Sequence, residues 1–342
     1  MEREKKKILV TGANGHLGQA CIRDLKKNGF DVRAAIRDFN DSRKLNGLME
    51  QNVEVVYADL LDRGSLDLAC KDCDGVFQLA SVYQFCKPSN VGNMIQTGTT
   101  GVQNILNASL KAGVNRVIFT SSVVAVGATK KGMQPATEKN WNKDFSVPYF
   151  YQKTVGEQLA IELAKEIHLD LITVCPGVIL GPFFNKNTPS IDNIEAIAKG
   201  AMVFGVPDIT LATVDVRDVA TMLRLCLERG VPGERYLAIE NNHSIHAIAK
   251  TIKSIGVEGR ISLNVLPKFI QPVLPVFDFF SSKLFGYPRT ISSALERTLR
   301  GKDLIFNGSK SYQMLDWTPK FSLRDSLSET LKTLRKNGVL KH

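Results

Sequence analysis

The first half of the chain alternates short, continuous apolar runs with longer segments whose apolar residues recur at helical spacing. The apolar runs lie at residues 6–12, 31–37, 53–60, 74–80, 115–122 and 169–177. Runs without polar alternation predict strands that are covered on both faces, as in a parallel sheet. The helical segments between them supply the crossovers that parallel strands need. The pattern predicts a doubly wound, Rossmann-type α/β fold.

Beyond residue 180 the pattern becomes irregular, and nine of the 13 prolines lie there. Two regular segments remain, a helix over 215–230 with an acidic start and a glycine stop, and a short strand over 234–239. We therefore expect a Rossmann domain over 1–180, to which 212–240 return. A smaller, interleaved substrate-binding domain is expected from 181–211 and 241–342.

Composition changes this picture little, because 44% hydrophobic and 23% charged residues are ordinary globular values. The net charge of +10 comes from scattered basic residues. No basic stripe carries interleaved aromatic residues, so the charge favours anionic small ligands over nucleic acid.

The six cysteines include a single CxxC pair, Cys70 and Cys73, with no second pair to complete a zinc site. We expect no metal and a reducing, cytoplasmic environment.

No signal segment is expected at the N-terminus. The apolar stretch 269–288 is interrupted by prolines, Asp278 and Lys283, so we expect no transmembrane segment. A contact of this stretch with a membrane surface stays open.

Between the first strand and its helix lies the loop "TGANGHLG", with Gly12, Gly15 and Gly18 at three-residue intervals. Glycine is needed where the backbone turns tightly, where a Cβ would block a phosphate, and where helix and strand pack closely. The helix N-terminus offers N–H groups and a positive dipole end to phosphates. The loop therefore predicts dinucleotide binding, although its spacing is GxxGxxG rather than GxGxxG.

The end of the second strand indicates which dinucleotide binds. Arginine there suits the 2′-phosphate of NADP, whereas an acidic residue binds the ribose of NAD. Here Arg37 comes first and Asp38 follows, with Arg43 and Lys44 beyond, so NADP(H) is favoured. In the alternative, Asp38 takes the ribose of NAD(H) and Arg37 points to solvent. Asp59 accepts a hydrogen bond from the adenine amine or caps a turn.

The stretch "YFYQK" places Tyr149 and Lys153 one helical turn apart, and "FTSS" ends the fifth strand at the edge where such sheets bind ligands. These residues suit carbonyl reduction, in which an alkoxide must be protonated. A phenol has a pKa near 10, and lowering it by about three units needs roughly 4 kcal/mol. Lys153 is expected to supply much of this as a nearby cation and to hold the nicotinamide ribose, while a serine hydroxyl bonds the substrate oxygen.

In order along the chain, "TGANGHLG", "VRAAIRD", "ADL", "CDGVFQLAS", "VIFTSSVVAVG", Tyr149-x-x-x-Lys153, "CPGVILGP" and "VDVRDVA" resemble the extended short-chain dehydrogenase/reductases. Within them the chain is most similar to the dihydroflavonol reductase-like and NAD(P)-dependent epimerase/dehydratase branch. The resemblance implies Tyr149 as acid/base, Lys153 as its partner and Ser122 as the polarising hydroxyl, with Ser121 as the fallback. It also implies that residues 176–178 line the nicotinamide.

Together, the motifs and the resemblance imply these cofactor-binding residues: Gly12, Asn14, Gly15, His16, Leu17, Gly18, Arg37, Lys44, Asp59, Leu60, Leu79, Ala80, Ser81, Tyr149, Lys153, Pro176, Gly177 and Val178. Two positions depart from the family pattern, Gln78 where histidine is frequent and Cys175 where arginine is usual. The loops 83–92, 127–141 and 183–190 are expected to shape the substrate pocket.

Three functions are compatible with these residues. The first is an NADP(H)-dependent oxidoreductase that reduces an aldehyde or ketone to the alcohol. The second is a nucleotide-sugar epimerase or dehydratase that holds NAD tightly; Arg37 argues against it, whereas the C-terminal segment 301–327 slightly favours it. The third, a non-catalytic NADP sensor or scaffold, has no need of the Ser–Tyr–Lys set. We expect a small carbonyl or alcohol substrate, and the family often forms homodimers through the Tyr–Lys helix.

Overall fold

The computed structural model describes residues 5–40, 42–84, 91–257 and 259–341, with the backbone alone for residues 42–44 and 46. Its strands are β1 (Lys7–Thr11), β2 (Asp31–Ile36), β3 (Glu54–Tyr57), β4 (Gly75–Gln78), β5 (Arg116–Thr120), β6 (Thr129–Lys130), β7 (Leu171–Pro176), β8 (Val178–Leu180), β9 (Thr210–Asp215), β10 (Arg235–Ala238), β11 (Asn241–Ser244) and β12 (Lys302–Asp303). Its helices are α1 (His16–Lys27), α2 (Ser42–Met49), α3 (Arg63–Cys70), α4 (Val91–Gly98), α5 (Thr100–Lys111), α6 (Val123–Val126), α7 (Pro148–Glu166), α8 (Pro189–Ala198), α9 (Val216–Arg229), α10 (Ile245–Ile255), α11 (Leu274–Phe285), α12 (Ser293–Leu299), α13 (Ser309–Leu315) and α14 (Leu323–Lys336).

The central sheet has seven strands in the order β3–β2–β1–β4–β5–β7–β10. Every neighbouring pair in it is parallel. The direction of winding reverses between β1 and β4, which is the switch point where sheets of this kind bind their ligands. The predicted doubly wound Rossmann-type fold is confirmed.

Apolar side chains cover both faces of this sheet, because successive residues of a strand point to opposite sides. Ile8 and Val10 of β1 join the buried cluster that contains α1 and α9. Leu9 between them joins the cluster that contains α3, α5 and α7. Burial on both sides explains why the strands appear in the sequence as continuous apolar runs.

A smaller sheet lies beside the central one, with β8 parallel and β11 antiparallel to β9. The helices α8, α10 and α14 pack around a third buried cluster next to it. In the segment 212–240, α9 joins the main core and β10 joins the central sheet. The division into two domains stays a prediction.

The helices α4 and α7 approach each other closely at two glycines. A Cβ on Gly156 would lie 2.5 Å from the carbonyl oxygen of Gly98, a distance that real side chains do not tolerate. The absence of a side chain at both positions lets α4 pack directly on the helix that carries Tyr149 and Lys153.

In the described part of the chain, no helix is both long and apolar enough to cross a membrane.

Candidate active site

A cavity of about 680 Å³ lies at the carboxyl ends of the central strands, at the switch point. This volume is in the range of small-molecule sites, about 300–1,000 Å³. All the sequence-predicted catalytic and cofactor-binding residues line it, apart from Lys44 and Val178. The side chain of Lys44 falls outside the described part of the structure. Motif residues from Gly12 to Gly177 therefore meet in one cavity.

The glycine loop between β1 and α1 has the close backbone contacts that a phosphate cradle requires. Gly12 has a φ of +63°, and a Cβ there would lie 3.1 Å from the backbone of Ala80. A Cβ on Gly18 would lie 2.4 Å from the carbonyl oxygen of Gly12. The helix α1 has no side-chain cap and no acidic residue in its first turn, so its N–H groups suit an anionic ligand. These residues fit the pyrophosphate of a dinucleotide.

Thr11 and Gln78 hold the loop that follows β4. The Thr11 hydroxyl accepts hydrogen bonds from the backbone N–H groups of Leu79, at 3.0 Å, and Ala80, at 3.1 Å. It donates to the Gln78 amide oxygen at 2.6 Å, and the Gln78 amide nitrogen donates to the Ala80 carbonyl at 3.0 Å. Gln78, at the position where the family often has histidine, therefore shapes the cavity wall at Leu79 and Ala80. No motif in the sequence indicated this role of Thr11.

His16 lies at the start of α1 and is buried. Its Nε2 lies 2.8 Å from the carbonyl oxygen of Pro182, and its ring packs edge-to-face on Phe184 with centroids 5.3 Å apart. Burial disfavours the charged imidazolium and lowers the pKa of His16 to about 4. At neutral pH His16 is therefore uncharged, and it joins the phosphate loop to the turn after β8.

Arg37 and Asp38 follow β2 but engage different partners. Arg37 lines the cavity, and its Nε lies 3.9 Å from the Oδ2 of Asp59. The Asp38 carboxylate accepts a hydrogen bond from the backbone N–H of Asn40 at 2.8 Å, and Asp38 is not among the cavity-lining residues. Asp59 also accepts from the N–H of Leu61 at 2.9 Å, so it caps a local turn as well as lining the cavity.

Tyr149 stands in the first turn of α7, which begins at Pro148, and is buried. Among the groups that influence its phenol is the hydroxyl of Ser122, the residue that caps α6. Burial, with a smaller contribution from Tyr83, raises the pKa of Tyr149 well above its ordinary value near 10, and the Ser122 hydroxyl opposes the rise. The phenol is therefore protonated at neutral pH.

Lys153 lies one helical turn after Tyr149, and its Nζ donates to the carbonyl of Thr120 at 3.0 Å. Burial lowers its pKa to about 8, with nearby Cys175 and Glu157 opposing the shift. We expected Lys153 to lower the pKa of Tyr149. Burial has the largest effect on that phenol and raises its pKa, so the contribution of Lys153 stays a prediction.

The adjacent hydroxyls of Ser121 and Ser122 have separate partners. Ser121 donates to the buried Glu157 carboxylate at 2.5 Å, and Glu157 forms an ion pair with Arg235 of β10. Cys175, at the position where the family usually has arginine, lies 3.6 Å from the same carboxylate. The Ser121 hydroxyl is thus engaged by Glu157, whereas the Ser122 hydroxyl is the one that influences the Tyr149 phenol, which favours Ser122 for the polarising role.

Val178 was expected beside the nicotinamide, but its neighbour Ile179 lines the cavity instead. Val178 packs against the cluster around α10 and α14, because successive side chains of β8 point to opposite faces.

The substrate side of the cavity is formed mainly by residues outside the motifs. The loops expected to shape it contribute Tyr83, Gln84, Thr188 and Ser190, whereas the loop 127–141 contributes no cavity-lining residue among those described. The Tyr83 ring lies 4.7 Å from that of Tyr149, and its hydroxyl is 3.0 Å from the Ser190 hydroxyl. Residues 85–90 lie outside the described part of the chain. Asn93 and Thr97 also line the cavity, although the sequence analysis did not predict them. Their spacing of one helical turn was the only sign in the sequence that they share a face of α4.

Comparison with known proteins places the chain in a family. The model of the NAD dependent epimerase/dehydratase family matches residues 8–238. The chain belongs to this family. It is an NAD(P)-dependent oxidoreductase of the extended short-chain dehydrogenase/reductase type.

Individual relatives support the same assignment. The chain is 29% identical to the bifunctional dihydroflavonol 4-reductase/flavanone 4-reductase of Pyrus communis, over 83% of this chain and 86% of that protein. Among solved structures it is similar to gox2253, with a TM-score of 0.83 and 28% identity over 98% of this chain and 100% of the other. A nucleoside-diphosphate-sugar epimerase from Pseudomonas aeruginosa shares the fold, with a TM-score of 0.72 and 22% identity over 99% of this chain and 100% of that one.

Proposed function

We propose that the protein is an NADP(H)-dependent reductase that converts an aldehyde or ketone to the corresponding alcohol. The observation that carries the proposal is that one cavity is lined both by Arg37, which follows β2, and by Ser122 and Tyr149, which lie after β5 and in the first turn of α7. The relative from Pyrus communis is itself a reductase, which supports the same class of reaction.

The preference for NADP(H) rests on the two residues after β2. Arg37 lines the cavity, and its guanidinium suits a 2′-phosphate. Asp38, which would bind the ribose of NAD, accepts a hydrogen bond from the backbone N–H of Asn40 and lies outside the cavity lining. The phosphate loop with Gly12 and Gly18 would hold the pyrophosphate.

When bound, the reduced nicotinamide supplies a hydride. The chain's own groups then act on the substrate oxygen. Ser122 donates a hydrogen bond to the carbonyl oxygen and favours the negative charge that develops there. Tyr149 carries its proton at neutral pH and transfers it to that oxygen. Lys153, protonated below its pKa of about 8, is placed one turn away to bind the nicotinamide ribose hydroxyls.

The described lining favours an uncharged substrate. Its only cations are Arg37 and Lys153, which the proposal assigns to the cofactor. Tyr83, Ser190 and Thr188 provide an aromatic ring and hydroxyls on the substrate side. A nucleotide sugar brings a diphosphate, for which charge-assisted bonds from arginine or lysine are the usual recognition. The described residues thus favour a neutral carbonyl compound over the substrate of an epimerase or dehydratase.

The proposal is tested with Tyr149→Phe in an assay of NADPH consumption against a panel of uncharged aldehydes and ketones. Loss of the phenolic proton should lower kcat by at least about 100-fold, while the Kd for NADPH stays within about twofold of the wild type. The matched control is Tyr151→Phe on the same helix, whose ring packs on Phe145 and does not line the cavity. Full activity of Tyr149→Phe on a wild-type substrate, or an equal loss in both variants, would contradict the proposed role.

A further inference from the structure

The segment after residue 267 carries an apolar surface that faces solvent. A 3-10 helix, Lys268–Val273, leads into α11. The aromatic patch is the set of large apolar side chains on these two helices that are 54–81% exposed: Phe269, Val276, Phe277, Phe280, Leu284 and Phe285. Contiguous exposed apolar surface of this kind marks an interaction site.

The helix α11 has its polarity reversed relative to an ordinary surface helix. Val276, Phe280 and Leu284 recur every four residues and form one outward stripe. The polar Asp278 instead turns towards the protein, where its carboxylate accepts hydrogen bonds from the N–H and hydroxyl of Thr290, both at 3.0 Å. A helix that faced water would show the opposite arrangement. The stripe is therefore suited to contact with an apolar surface rather than with water.

Positively charged side chains surround the aromatic patch, and the two carboxylates in the same segment are both paired with arginines. Lys268, Lys283 and Arg289 are exposed around it. The two acidic residues of the surrounding segment 265–300 are covered, because the side chains of Asp278 and Glu296 are 11% and 7% exposed and pair with Arg289 and Arg300. Phenylalanine and leucine beside lysine and arginine are the composition that binds an anionic membrane interface.

We propose that this surface docks the protein on an anionic lipid bilayer, with α11 lying in the plane of the headgroups. The 12 residues of α11 span only about 18 Å, short of the roughly 30 Å hydrocarbon core. A second copy of the chain fits the patch less well. A two-fold interface there would bring Lys268 and Lys283 of both copies together, while the two carboxylates of segment 265–300 are already paired with arginines.

The test is flotation of the full chain with two kinds of vesicle, phosphatidylcholine alone and phosphatidylcholine mixed with phosphatidylglycerol. Wild-type protein should float with the anionic vesicles, and salt should weaken the binding. Phe277→Gln with Phe280→Gln should weaken it at least about tenfold, because two inserted rings are lost. Lys268→Gln and Lys283→Gln should each weaken it about fivefold.

The matched control is Met49→Gln with Leu68→Gln, which replaces two exposed apolar residues on α2 and α3. It should float like the wild type, and unchanged NADPH binding should show that every variant is folded. The proposal is overturned if the wild type floats with neither vesicle, or if the control loses as much binding as the phenylalanine variant. It is also overturned if light scattering shows a dimer that Phe277→Gln with Phe280→Gln abolishes while no vesicle is bound.

Discussion

Arg37 and Asp38 are neighbours in the chain, yet Arg37 lines the cavity whereas Asp38 accepts a hydrogen bond from Asn40 outside the lining. Because Arg37 lines the cavity, Arg37→Ala should weaken NADPH binding by about 10- to 100-fold, the value of a charge-assisted phosphate contact of about 1.5–3 kcal/mol. Binding of NADH, which has no 2′-phosphate, should change by less than about twofold. Fluorescence titration of each reduced cofactor measures both constants.

The control for this experiment is the neighbouring residue. Asp38 accepts from Asn40 and lies outside the cavity lining, so Asp38→Ala should leave both dissociation constants nearly unchanged. Equal weakening of NADPH and NADH in Arg37→Ala would remove the 2′-phosphate assignment. Selective loss of NADH binding in Asp38→Ala would instead indicate that the aspartate holds the ribose of NAD.

His16 should make the stability of the protein depend on pH. Its pKa is about 4 in the folded protein and near 6.5 when unfolded, so between these values only the unfolded chain takes up the proton. The free energy of unfolding should therefore fall as the pH drops from about 6.5 to about 4, by up to about 3 kcal/mol.

Urea unfolding at a series of pH values measures this dependence. The matched variant His16→Gln has no imidazole to titrate, so its unfolding free energy should vary less over the same range. An identical pH dependence in both proteins would show that another group is responsible.

At the scale of elements, α7 connects the part of the cavity lined by Tyr149 and Lys153 to the edge of the central sheet. Two turns after Tyr149, Glu157 pairs with Arg235 of β10 and accepts from Ser121, which follows β5. Both charged side chains are almost fully buried. Glu157→Gln should lower the free energy of unfolding by about 3–5 kcal/mol, because it leaves the Arg235 guanidinium buried without its counter-charge.

Glu162→Gln is the control on the same helix, because Glu162 is exposed. Chemical denaturation should show a change within about 0.5 kcal/mol for this variant. A similar small effect for Glu157→Gln would mean that the buried pair contributes little to the connection between α7 and β10.

The elements with strong local patterns were predictable, and those defined by tertiary contacts were not. The strands β1, β2, β4, β5 and β7 lie within the apolar runs, since burial on both faces leaves a clear signal. The helix α4 was missed because its sequence, "VGNMIQTG", has weak local preference and depends on the close approach of Gly98 to Gly156. The Glu157–Arg235 pair spans 78 positions, and no spacing rule connects such residues.

At the scale of the whole molecule, the order of motifs along the chain was enough to predict a Rossmann-type sheet that binds its ligand at the carboxyl edge. The sequence also identified 269–288 as unusually apolar. It did not show whether that stretch is buried, because an apolar run predicts burial or an interface equally well. Only the packed fold shows that Phe277 and Phe280 face outwards while Asp278 faces inwards.

A reductase of the proposed kind exchanges NADP(H) in each turnover. A titration of the purified wild-type protein with NADPH and NADH, together with an assay for cofactor released on denaturation, tests this exchange. We expect no retained cofactor and NADPH binding at least about tenfold tighter than NADH binding, which corresponds to about 1.4 kcal/mol. NAD that survives purification in near-stoichiometric amount would overturn the proposed function and favour a nucleotide-sugar epimerase or dehydratase.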